Sequence, residues 1–172
     1  MRNALVLAGG GVAGIAWELG VLMGLADADP GLGASVLTSD LVVGTSAGSS
    51  VGAQIASGTS LADLYAAQLA PRSAEIPIDI DLERFVAELQ AATSGASSPA
   101  DVCRRIGAFA LAAQTVPEDD RRAVMAARLP KHEWPDRDLR ITAVDATTGE
   151  RVVFTRESGV GLVDAVAASC AV

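Results

Sequence analysis

Twice within its first 60 residues the chain runs a short apolar stretch into glycine and then into a segment of helical length, a pattern that few architectures accept. The first stretch is Ala4-Leu5-Val6-Leu7-Ala8, ended by Gly9-Gly10-Gly11. The second is Asp40-Leu41-Val42-Val43, ended by Gly44. Short apolar runs closed by glycine read as fully buried strands of a parallel sheet. Behind them, Gly11–Ala28 (stopped before Pro30) and Ala47–Ser57 (stopped by Gly58) read as helices. Thr59-Ser60 opens another helix, with Ser60 and Asp63 at capping-box spacing and Pro71 as its end. This β-α-β-α order predicts an α/β domain whose mostly parallel sheet carries helices on both faces.

The middle of the chain is different. Residues 71–135 show no strong strand signal. Leu82, Phe85, Val86 and Leu89 recur at helical spacing within Asp81–Ala92. Ser98-Pro99 starts a further helix, with proline at its first position. Glu118-Asp119-Asp120 starts another, with Arg121, Arg122 and Arg128 further along, the charge order a helix dipole favours. This helical insertion fits either a cap over the sheet or plain crossover packing. Strand signal resumes at Leu139–Val144, followed by a turn at Thr147-Thr148-Gly149-Glu150 and a returning strand, Val152–Phe154, which together predict a late β-hairpin. Val163–Val172 reads as a short helix entered through Asp164.

Composition narrows the function. With 172 residues, half of them hydrophobic, residues 1–172 suit a single domain with a real core and exclude a solvated coil. A net charge of -8 offers no basic surface to phosphates, so no nucleic-acid partner is expected. One histidine, His132, and two distant cysteines, Cys103 and Cys170, leave no set of zinc ligands, so no metal site is expected. Free thiols suit a reducing, cytoplasmic compartment. Between Leu5 and Ala26 the only charge is Glu18, so the segment also passes for a signal peptide or membrane span. Its six glycines favour a strand, a turn and a helix instead.

The chemistry concentrates in the two glycine motifs. Gly44-Thr45-Ser46-Ala47-Gly48 is a G-x-S-x-G sequence between a strand and a helix, the setting in which such a serine projects from the sheet edge as a nucleophile. Gly44 and Gly48 clear the elbow of side chains, and the helix start offers the Ala47 N–H. The alternative is an ordinary turn with Ser46 as a helix cap. Gly9-Gly10-Gly11-Val12-Ala13-Gly14 matches a dinucleotide fingerprint, but the acidic residue at the right distance, Asp29, follows no strand. The same bare amides of Gly9, Gly10 and Gly11 can serve an oxyanion, with Gly14 completing the turn. A serine also needs a base. His132 lies in a Pro-bracketed charged loop and reads as solvated surface; Asp145 and Asp164 are available carboxylates, and neither is well placed by sequence.

These two motifs, about 35 residues apart, and the closing Asp164-Ala165-Val166-Ala167-Ala168-Ser169-Cys170-Ala171 resemble the patatin-like phospholipases. The resemblance is firm over residues 4–58, loose through the helical middle, and good again from about 139 to 172. It implies a single three-layer α/β/α domain and a Ser–Asp dyad that hydrolyses acyl esters of lipids without metal or organic cofactor. Ser46 would be the nucleophile, and Gly9, Gly10, Gly11 and Ala47 the oxyanion hole. Two departures stand out. Ala13 sits where many members carry Arg or Lys, and no Asp-Gly sequence, the family's setting for its aspartate, occurs in the chain. The family pattern places that aspartate just past Val172, so a C-terminal segment of the same protein is expected to complete the site. Expected partners are a lipid or acyl-ester substrate and a transient membrane surface. Phe85, Leu89, Ile106 and Phe109 are candidates for an acyl pocket, with plain core packing as the alternative. The rival functions are an acyltransferase on the same elbow, which would recruit His132, and a catalytically incomplete scaffold.

Overall fold

In the computed structural model, which describes residues 2–71, 75–76 and 81–171, β1 (Ala4–Leu7) and β2 (Leu41–Thr45) lie parallel with Leu7 opposite Gly44. β3 (Asp138–Val144) continues the sheet in parallel, and β4 (Arg151–Phe154) closes it antiparallel, giving the order β1-β2-β3-β4. The α/β class, the mostly parallel sheet, the helical middle and the late hairpin are those the sequence indicates. Around the sheet, among the described residues, stand α1 (Gly11–Ala28), α2 (Pro30–Leu37), α3 (Ala47–Ala56), α4 (Leu61–Leu69), α5 (Leu82–Thr93), α6 (Pro99–Ala112), α7 (Glu118–Arg128) and α8 (Leu162–Ser169). Val172, the last residue of the expected closing helix, lies outside the described residues.

The core forms on one face of the sheet. Pleating aligns Leu7, Gly44 and Ile141, and likewise Leu5, Val42 and Leu139, so their side chains share a face. Against it packs α3, buried from Ala47 to Ile55, with Ile15, Leu19 and Leu22 of α1, Val124 and Met125 of α7, and Leu162 and Val166 of α8 joining the same cluster. Small residues make α3 the central helix: Gly48, Ser49, Ser50, Gly52 and Ala53 let a strand layer and neighbouring helices approach its backbone.

Three expectations change. β1 is not fully buried: Val6 is 70% exposed, because β1 is an edge strand and Val6 shares its face with Val43 and the exposed Arg140, away from the core. Pro30 does not simply end a helix. Asp29 accepts the Leu32 N–H and caps α2, which packs so closely on α1 that a Cβ at Gly33 would lie 2.5 Å from Ala26 Cα. Two glycines in that short helix hide it from propensity. The middle helices also divide: α7 packs on α8, whereas α5 and α6 pair with each other through Phe85 and Phe109, ring centroids 5.9 Å apart. α6 meets the β3–β4 turn, where Gly107 lies against Ala146 and Gly149 against Ala100 and Arg104. The apolar N-terminal segment folds as strand, glycine turn and helix; α1 is long and apolar enough to span a membrane, yet it docks on α2, α3 and α4.

Candidate active site

β2 delivers Ser46 to the edge of the sheet and α3 begins at once, so the chain must reverse within a residue. Ser46 takes φ 52 and ψ -115, the only positive φ on a non-glycine residue among those described. Such a conformation costs about 1–3 kcal/mol and persists only where surrounding contacts impose it. They do so from both sides. The Ser46 N–H donates to Ser169 Oγ at 2.8 Å, and that hydroxyl donates onward to Thr142 O at 2.7 Å. The Ser46 carbonyl accepts from Ser49 N at 2.9 Å and from Ser49 Oγ at 2.6 Å. The half-buried Ser46 hydroxyl itself takes no hydrogen-bond partner among the described residues and caps nothing. An ordinary capping serine would use that oxygen on the helix amides. This one keeps it free.

The glycine turn lies against this elbow. Gly48 N–H donates to Ala8 O at 2.8 Å, tying α3 to the end of β1. A Cβ at Gly9 would sit 3.5 Å from Ser46 Cβ, and one at Gly14 would sit 3.1 Å from Ala47 Cβ. The starts of α1 and α3 therefore meet beside Ser46. Gly9, Gly10 and Gly11 are exposed, and no group among the described residues accepts their N–H groups. Free amides at helix starts carry partial positive charge, the condition an incoming oxyanion requires. Gly9 is thus brought against Ser46 and Gly14 against Ala47, with Gly10 and Gly11 in the turn between them.

The candidate bases are each held by other partners. Lys131 Nζ donates to Ser57 O, placing the neighbouring His132 by the far end of the ten-residue α3, about 15 Å along the helix from Ser46. His132 is exposed and its ring bonds Ala126 O. Asp145 accepts the N–H groups of Thr147 and Thr148, both at 2.8 Å, which hold its carboxyl below the ordinary value. Asp164, at the start of α8, pairs with Arg122. Asp29 is spent on the cap of α2, which removes the dinucleotide alternative's acidic residue. The four apolar candidates Phe85, Leu89, Ile106 and Phe109 are half-buried along the α5–α6 pair. Among the described residues no group of three or more His, Cys, Asp or Glu is placed to hold a metal ion.

Two residues of the site escaped the sequence. Ser169 holds the elbow from 123 positions away, a pairing no local pattern carries. Glu18 left one trace, a lone charge among the buried positions Ile15, Leu19 and Leu22 of α1. For Ser169→Ala the expected result is a folded protein less stable by about 1–3 kcal/mol, the cost of a backbone N–H left without partner. Urea unfolding measures it; an unchanged midpoint would mean that water replaces the hydroxyl.

The profile of the patatin-like phospholipase family matches residues 5–172. No curated protein matches the chain in sequence. Among solved structures, the crystal structure of the type III effector protein ExoU aligns with a TM-score of 0.50 and 22% identity, over 99% of this chain and 40% of that one. The likeness at this identity concerns the fold, and it agrees with an α/β/α arrangement. The chain spans 40% of the length of that structure.

Proposed function

The chain belongs to the patatin-like phospholipase family, and from that premise we propose that it is a lipid acyl hydrolase with Ser46 as nucleophile. The observation that carries the reading is the free hydroxyl of a strained residue, set where two helix starts meet.

In this reaction a carboxylate base takes the Ser46 proton as Oγ attacks the ester carbonyl carbon. The carbonyl oxygen becomes an oxyanion, and the N–H groups of Gly9, Gly10, Gly11 and Ala47 stabilise it; one such donor is worth roughly 3 kcal/mol in the barrier. The intermediate collapses, the C–O bond to the alcohol breaks, and the base returns its proton to that alcohol. Water then attacks the acyl-serine and gives its proton to the base; the acyl C–Oγ bond breaks, the base returns the proton to Ser46 Oγ, and the fatty acid is released. The family resemblance assigns the base to an aspartate, supplied in this reading by a C-terminal segment of the same protein, since His132, Asp145 and Asp164 are engaged elsewhere. A net charge of -8 disfavours anionic membranes, so zwitterionic lipids, lysolipids and soluble esters are the proposed substrates. The acyltransferase reading is weaker, because its histidine would be His132, beside the opposite end of α3.

The test is fluorophosphonate labelling of the full-length protein, followed by mass spectrometry of its peptides. A single adduct on Ser46 is the expected result. An adduct on another residue moves the nucleophile, and no adduct at all favours a catalytically incomplete scaffold.

A further inference from the structure

Glu18 is a carboxyl in an apolar interior, only 6% exposed. Its Oε1 accepts the Ala8 N–H at 3.0 Å, while Oε2 is buried with no hydrogen-bond partner among the described residues. The carbonyl of the same Ala8 accepts from Gly48. Both peptide groups of Ala8 are thus held, one by α1 and one by the elbow helix. Between Ala8 and Glu18 lie Gly9, Gly10 and Gly11, the chain's most permissive backbone, and the first two turns of α1.

We infer that Glu18 is a positioning residue for the proposed hydrolysis: from inside α1 it fixes the end of β1, and so sets the amides of the glycine turn against Ser46. The inference rests on the reading of Ser46 given above. Fold stability asks only for an acceptor for the Ala8 N–H, and a buried carboxyl is a costly way to supply one, since its second oxygen is left without a partner among the described residues. Burial, opposed in part by the Ala8 bond, pushes its pKa above the ordinary carboxylate value, in keeping with a group chosen for where its oxygen sits rather than for its charge. Three consecutive glycines without a tether sample many turn conformations, and an oxyanion donor acts only when already aimed.

The experiment compares Glu18→Met, which keeps the volume and removes the acceptor, with Glu18→Gln, which keeps an acceptor oxygen. Hydrolysis of a soluble fluorogenic ester by the full-length protein is followed, with circular dichroism confirming the fold. Glu18→Met is expected to lower kcat about 10- to 100-fold while KM changes less than about threefold, as for a group that acts on the transition state alone. Glu18→Gln is expected to stay within about threefold of the parent kcat. A Glu18→Met protein with parental kcat overturns the inference, as does a Glu18→Gln protein that falls equally far. If Glu18→Met does not fold, Glu18→Gln decides: parental kcat with the Ala8 amide still slow to exchange supports the inference, and a lost kcat overturns it. A parent protein with no hydrolysis takes down the reading of Ser46 and this inference together, whereas an active parent beside an indifferent Glu18→Met takes down only this one.

Discussion

Gly48→Ala is expected to yield no stably folded protein. A methyl group at this position would lie 2.4 Å from both the carbonyl carbon and oxygen of Leu7 and 2.6 Å from its Cβ. No rotamer relieves a contact with backbone. The strand and helix would have to separate by more than half an ångström, and the Gly48 N–H bond to Ala8 would stretch with them. That separation loosens the core cluster to which Leu7, Val42, Ala47 and Val51 belong. Overpacking against side chains costs about 1–3 kcal/mol, and against a fixed strand the expected cost is above about 4 kcal/mol. Set against a total stability of about 5–15 kcal/mol, that leaves little or no native state. Gly52→Ala supplies the control one turn along the same helix. Its methyl would meet Val42 Cγ1 at 3.1 Å and Leu139 Cδ1 at 3.3 Å, both of them side-chain ends that can shift. A gain in helix propensity of about 1 kcal/mol offsets that crowding. Urea unfolding of the pair should therefore separate sharply. Similar midpoints would show that α3 and β1 are free to move apart.

Features carried by neighbouring residues were legible in the sequence; those that depend on distant ones were not. β1, its glycine turn and α1 announce themselves because an apolar run, a break and a long helical segment follow one another directly. The elbow is legible for the same reason, and Ser60 and Ser98 were readable as caps, each accepting the N–H of the residue three positions on. Val6 shows the limit: its residue type is right for burial, and only the sheet order, with β1 at the edge, exposes it. α2 shows another, because Asp29-Pro30 is as good a start signal as a stop signal until its packing on α1 is known. The pairing of α5 with α6 turns on Phe85 meeting Phe109 across 24 positions, and periodicity specifies an apolar face without naming what covers it. Ser169 lay in a segment matched to the family as a string, yet its hydroxyl earns its place only once β3, α8 and the elbow have assembled.

Ser46→Gly is expected to abolish fluorophosphonate labelling and at the same time to make the protein more stable. The two effects have one cause. At φ 52 and ψ -115 a side chain of L configuration is crowded by its own backbone, and glycine is not. Removing that strain returns about 1–3 kcal/mol. Part of the gain is lost because glycine also frees the unfolded chain, by about 0.5–1 kcal/mol, so the net expectation is roughly 0.5–2 kcal/mol in favour of the variant. Nothing offsets the gain on the folded side, since the Ser46 hydroxyl bonds no described group and the bonds from Ser169 and Ser49 go to its backbone. Ser46→Ala separates strain from chemistry: it loses labelling as fully as glycine does, but its Cβ keeps the crowding, so its stability should lie within about 0.5 kcal/mol of the parent. A residue that served only as a helix cap would leave both variants less stable than the parent, alanine by about 0.5–2 kcal/mol and glycine by a few tenths. A glycine variant more stable than the parent as well as the alanine variant, measured in urea with neither variant labelled, is what a backbone bent for the sake of a nucleophile requires. Equal stability of the two would mean that the turn stores no strain, and Ser46 would lose the feature that sets it apart from the chain's other serines.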